Sequence, residues 1–183
     1  EGGYEPQQHL NDMVIDGVAG EVLYPSQGLF YFKVGDSALL SAIFRAYNDW
    51  LHDFCSADPD RLKAIAMINV DDIEDAVSEL TRTAKLGFCG AMITEYPEEH
   101  RRYDSKIYEP LWAAAEDLAM PLSLHTATRR VGGNAGAIER SVRDASRRAT
   151  KAFLPATSLC DMIFAGVFER YPKLELAIVE FEL

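Results

Sequence analysis

No apolar run in the sequence approaches the ~18 residues that a membrane-spanning helix requires. The opening stretch, EGGYEPQQHLNDM, lacks both a basic n-region and an apolar h-region. Neither a membrane segment nor a signal peptide is expected. Basic residues are scarce: 18 Lys and Arg face 29 Asp and Glu, for a net charge of −11. Such a surface repels phosphate backbones and argues against general nucleic-acid binding. Cysteine is scarce too, with only Cys55, Cys89 and Cys160 and no C-x-x-C pair. Each falls in an apolar helix or strand pattern, so buried, reduced thiols and a cytoplasmic location are expected. The G-x-G-x-x-G fingerprint is missing from the first strand–helix turn, and no P-loop occurs anywhere, which removes the usual nucleotide signatures.

What the sequence does have is a regular alternation of apolar runs and helix-period segments. GVAGEVLYP (17–25) reads as a strand ending at Pro25. Asp36 can cap a helix whose Leu40, Phe44, Tyr47, Leu51 and Phe54 form a 3.6-period stripe. RLKAIAMINV (61–70) is the second strand, and Asp71 followed by Glu74 suggests a capping box for the next helix. Gly87 ends that helix as a C′ residue. CGAMITEYP (89–97) is the third strand, with a helix over roughly 107–119 carrying Pro110 in its first turn. MPLSLHT is the fourth strand. A long loop and helical region follow, with a fresh turn at Pro155, before KLELAIVEFEL (173–183) as the fifth strand. Strand–helix alternation of this kind builds right-handed βαβ units and a parallel sheet. An open doubly wound sheet and a closed (β/α)8 barrel compete, and five strands alone favour the open sheet.

In both architectures ligands bind at the carboxyl ends of the strands. Those ends are Tyr24–Ser26, Asn69–Asp71, Thr94–Tyr96, His125–Thr126 and Glu180–Glu182, and polar groups collect there. Among four histidines, His9 and His52 read as surface or packing residues, and His100 as a solvated loop residue. His125 differs, because it closes an apolar strand at the presumed rim. A functional role competes with a histidine hydrogen-bonded inside the core. Glu180 follows LELAIV, where a carboxylate is costly to bury unpaired. It is a candidate metal ligand, general base or half of an ion pair, and a one-residue change of register exchanges it for Phe181. Six arginines (129, 130, 140, 143, 147 and 148) follow His125 in an acidic chain. Most read as a solvated face or subunit contact. Arg129 is the one best placed to hold a carboxylate. Asn69, Glu95 and Tyr96 complete the candidate substrate-binding rim.

Taken together, DGVAGEVLYP, AYNDWLHDFCSADPDRLKAIAMINVDD, LGFCGAMI, YEPLWAAAEDLAMPLSLHTAT and DMIFAGVFERYPKLELAIVEFEL resemble the amidohydrolase-2 family of the amidohydrolase superfamily. These are the relatives of aminocarboxymuconate-semialdehyde decarboxylase. The resemblance implies an α/β (β/α)8 TIM barrel, often dimeric, binding one divalent metal, with zinc expected first and manganese second. It implies that His125 is a metal ligand and that Glu180 stands where many relatives place a histidine. That departure weighs against decarboxylase-like chemistry. It further implies that residues 1–183 form one partial barrel domain of about five central strands. An H-x-H or E-x-H pair would precede residue 1, and a metal-proximal Asp would follow residue 183. The resulting expectation is a metal-dependent hydrolase or nonoxidative decarboxylase of a small organic, possibly aromatic, acid, acting as a cytoplasmic homodimer. The rival is a metal-free binding or regulatory protein on the same barrel.

Overall fold

The computed structural model describes residues 2–130 and 152–180. Its elements in chain order are α1 (Pro6–Asp16), β1 (Glu21–Leu23), α2 (Ser37–Cys55), β2 (Leu62–Met67), α3 (Ile73–Lys85), β3 (Gly90–Thr94), α4 (Glu109–Asp117), β4 (Leu122–His125), α5 (Phe153–Phe164), α6 (Val167–Arg170) and β5 (Leu176–Val179). A 3₁₀ segment, Gln27–Lys33, lies between β1 and α2. No helix among the described residues is long and apolar enough to cross a membrane.

The five strands are all parallel and lie in sequence order, β1-β2-β3-β4-β5. A doubly wound sheet reverses its strand order at a switch point, whereas a barrel adds each strand beside the last. The observed order is the barrel's. A second observation agrees. In a flat sheet, three strand spacings of about 4.8 Å would part β1 from β4 by about 14 Å. Yet the Tyr24 hydroxyl, just past β1, lies 2.8 Å from Ser123 Oγ on β4. The sheet therefore curls, and Tyr24 and Ser123 face each other across its concave side.

Alternation along the strands divides the core in two. Ala64, Ala66, Ile68, Ala91, Ile93, Leu122 and Leu124 pack outward, in one cluster with Leu80, Leu111 and Trp112 of the helices. Ile65, Met67 and Met92 belong to a second cluster with Phe32, Leu40 and Phe44, beside Tyr24. Because β1 pairs with β2 only as far as Leu23↔Ala64, the end of β2 lacks a strand on that side. Asn48 of α2 replaces it: its Oδ1 accepts from Met67 N (2.8 Å) and its Nδ2 donates to Met67 O (3.1 Å). The same amide donates to Glu79 Oε1 at 2.8 Å, and Arg82 and Arg45 donate to the Glu79 carboxylate as well. Burial alone would raise the Glu79 carboxyl, but the hydrogen bonds from Arg82 and Asn48 and the two guanidinium charges hold it below its ordinary value.

Several local expectations are corrected. Asp72, not Asp71, caps α3, accepting from Glu74 N and Asp75 N, which leaves Asp71 available elsewhere. The polar N-terminal stretch is a helix, α1, seated by Leu10 and Met13. His9 of this helix contacts Glu21 of β1 through Nε2, at 2.7 Å. Of the cysteines only Cys55 is buried, its thiol pushed up to about 11 by burial and by the neighbouring Cys89. Cys89 and Cys160 are exposed, one in the turn before β3 and the other on the outer side of α5. Asp36 caps α2 as expected, through Leu39 N. Gly87 adopts φ +89°, a conformation that penalises any residue with a Cβ.

Candidate functional site

His125 is the last residue of β4, at the carboxyl end of the sheet. His125 is paired in register with Thr94 on one side and Val179 on the other. Its side chain points to the same concave face as Ser123, two residues earlier, and is 4 % exposed. The ring lies 5.7 Å from the Tyr24 ring, centroid to centroid. Nδ1 is 2.9 Å from Thr126 O. Since a carbonyl can only accept, Nδ1 is the donor of this bond, and in the neutral ring Nε2 has the lone pair. No described residue takes Nε2.

The turn after His125 is fixed by hydroxyls. Thr128 Oγ1 donates to His125 O (2.6 Å) and accepts from Glu95 N (2.7 Å), while Thr94 Oγ1 donates to Thr128 O (2.6 Å). Ala127 within it has φ +72° and Glu180 at the end of β5 has φ +58°, two left-handed non-glycine residues on one rim. Such strain concentrates where a site imposes its geometry. Thr126 Oγ1 donates to Glu180 Oε2 at 3.0 Å, so the candidate carboxylate is tied to the strand end that carries His125.

The other candidates spread around this rim. Glu95 is buried, and its carbonyl accepts from Ser158 Oγ of α5 (2.6 Å). Asn69 Nδ2 faces Ser37 and Ser41 of α2 while its Oδ1 accepts from Asp71 N, so this side chain joins β2 to α2. Tyr96 donates to Glu99 at 2.6 Å, and burial together with that bond raises its phenol. Arg129 is exposed, with its guanidinium 5.7 Å from the centre of the Tyr96 ring. Arg140, Arg143, Arg147, Arg148 and Phe181 lie outside the described residues.

Three participants escaped the sequence reading. Arg130, grouped there with the surface arginines, is 4 % exposed. It donates to both Asp71 oxygens (3.1 and 2.5 Å) and to the carbonyls of Phe32 (2.5 Å) and Val34 (2.6 Å). One guanidinium thereby ties together the loops that follow β1, β2 and β4. Tyr24 and Ser123 are the other two. A tyrosine at a strand end and a lone serine inside LSLH were the available signals.

A metal ion can be tested against this donor set. His125, with Nδ1 held by a carbonyl and Nε2 taken by no described residue, suits one ligand position. A catalytic zinc site takes three protein ligands plus water. Among the described residues no group of three or more His, Cys, Asp or Glu could hold a metal, so they do not suffice for a shell.

Comparison with known proteins accords with the geometry. Gamma-resorcylate decarboxylase of Polaromonas sp. (strain JS666 / ATCC BAA-500) is 26% identical over 157 residues, covering 79% of this chain and 46% of that protein. The enzyme of the same name from Rhizobium radiobacter is 36% identical over 89 residues, 45% of this chain and 27% of that one. The chain thus spans less than half the length of these relatives. Among solved structures, 2,6-dihydroxybenzoate decarboxylase from Rhizobium superposes with a TM-score of 0.74 at 24% identity, over 93% of this chain and 54% of that one. Dihydroxybenzoic acid decarboxylase from Polaromonas sp. JS666, solved with manganese and the inhibitor 2-nitroresorcinol, gives 0.75 at 23% identity, over 93% and 53%. The five strands are therefore part of a (β/α)8 barrel, as the sheet order and its curl require. A sequence profile described as Amidohydrolase (Amidohydro_2) matches residues 6–182, and the chain belongs to that family.

Proposed function

We propose that this chain carries part of the active site of a nonoxidative decarboxylase acting on a small aromatic acid. The observation that carries the reading is His125: a strand-end imidazole on the concave face, its Nδ1 held by Thr126 O and its Nε2 taken by no described residue. The decarboxylase names of the relatives favour loss of CO2 over hydrolysis. This reverses the weight that the Glu180 departure placed against such chemistry.

Loss of CO2 leaves the electron pair of the broken C–C bond on a ring carbon, which must take a proton. Glu180 is the proposed donor to that carbon, held at the rim by Thr126. Arg129 is proposed to hold the substrate carboxylate, and Asn69, Glu95 and Tyr96 to shape the mouth around it. A divalent metal belongs to the proposal, with His125 as one ligand, and would polarise a substrate oxygen. Manganese, named with the Polaromonas neighbour, is the first ion to test and zinc the second. A cytoplasmic homodimer completes the reading, and the mass in solution checks the dimer.

The test is CO2 release by the intact protein from a panel of hydroxybenzoates with Mn²⁺ or Zn²⁺ supplied. Release that falls at least about 100-fold in His125→Ala supports the reading, on the scale of losing one catalytic group. No release from any member of the panel contradicts it.

A further inference from the structure

Tyr24 and Ser123 carry two hydroxyl protons, and the 2.8 Å bond between them uses only one. Either atom can be its donor. Whichever donates, the other O–H is left with no acceptor among the described residues. Ser123 is 2 % exposed, so when Tyr24 donates, the Ser123 proton has no free access to water; when Ser123 donates, the half-buried Tyr24 O–H is the one turned to the site. A buried donor without an acceptor is costly, and a ligand oxygen would satisfy it. The pair also faces the concave side. Ser123 lies two residues below His125 on the same face of β4, about 6.6 Å along the strand, and the Tyr24 ring is against the His125 ring.

The geometry points to the Tyr24–Ser123 pair as a hydrogen-bond donor at the base of the site, taking an oxygen of the bound aromatic acid. The inference rests on the aromatic-acid reading above and adds two binding residues to it. Because the two hydroxyls exchange roles, removing one leaves a competent donor, and removing both abolishes it.

Two probes separate the possible oxygens: benzoate, which offers a carboxylate, and resorcinol, which offers only hydroxyls. Their dissociation constants are measured by calorimetry on the intact protein with Mn²⁺, and on Tyr24→Phe, Ser123→Ala and the double variant. Each single variant should weaken one probe a few-fold, and the double variant by at least about ten-fold, the scale of a hydrogen bond to a charged group. Loss confined to benzoate assigns the contact to a carboxylate, and loss confined to resorcinol to a ring hydroxyl. Unchanged affinity for both probes in a folded double variant overturns the inference and leaves an ordinary core contact. Failure of the parent to bind either probe overturns it as well. If the double variant does not fold, a crystal structure of the unsubstituted protein with benzoate and, separately, with resorcinol decides. A probe oxygen within about 3.2 Å of either hydroxyl supports the inference, and its absence there in both overturns it. CO2 release, measured separately, reports on the reaction itself. A double variant that binds normally while the parent still releases CO2 sinks only the donor pair.

Discussion

The Tyr24 hydroxyl and Ser123 Oγ lie 2.8 Å apart, joining the end of β1 to β4 across two intervening strands. This bond marks the curl of the sheet, so it contributes to the fold whatever else it does. Tyr24→Phe should lower stability by about 1 kcal/mol, the net value of one hydrogen bond. Tyr24→Ala, which also removes the ring beside His125, should cost about 3 kcal/mol or more. Urea denaturation curves of the three proteins check both values.

Asn48 supplies both partners for the Met67 backbone at a point where β1 has already ended. Truncation to alanine leaves a buried N–H and a buried C=O without partners and removes a bond to Glu79. The expected loss is about 2–4 kcal/mol. A shift in the denaturation midpoint with no change of slope would show that the native state alone is affected.

Glu79 gives the protein a pH dependence of definite sign. Its carboxyl lies below the ordinary value because Arg82, Asn48 and Arg45 outweigh burial. A carboxylate of lowered folded pKa contributes stability that is complete above the unfolded value, about 4.3. That contribution disappears as pH falls through the folded value. The stability gap between the parent and Glu79→Gln should therefore be wide at neutral pH and narrow below about pH 4. Denaturation series at stepped pH measure the gap, and a gap that widened in acid would contradict the assignment.

Arg130 holds three strand-end loops through one buried guanidinium. Removing it by Arg130→Met leaves Asp71 and two carbonyls without that partner and should cost about 3–5 kcal/mol. Arg130→Lys should recover little, because a point charge cannot reproduce the fork that spans Asp71 and the Phe32 and Val34 carbonyls. Thermal melting of both variants against the parent distinguishes a shared large loss from rescue by charge alone.

Much of this architecture is legible in the sequence for a plain reason. Parallel strands covered on both faces are apolar runs, and β2, β3 and β4 stand out as such. What escaped lies at single-residue resolution. Asp71 and Asp72 are both competent caps, and which of them starts α3 depends on where Arg130 needs a partner. Arg129 and Arg130 are identical in type, yet the turn through Ala127, at φ +72°, sends Arg130 inward and leaves Arg129 outside. No local pattern encodes that choice. Helix α1 was missed because only Leu10 and Met13 are buried along it. Tyr24 stands at a strand end in the sequence reading but receives no role there, because its partner is 99 residues away. His125 was found because strand-end position and residue type pointed the same way.

The central claim is that His125 serves a metal-dependent decarboxylase, and one experiment addresses it directly. Bound Mn²⁺ and CO2 release from the hydroxybenzoate panel are measured together on the intact protein and on His125→Ala. The account predicts stoichiometric metal and turnover in the parent, and loss of both in the variant. A parent that binds no metal and releases no CO2, or a variant that keeps both, would contradict it.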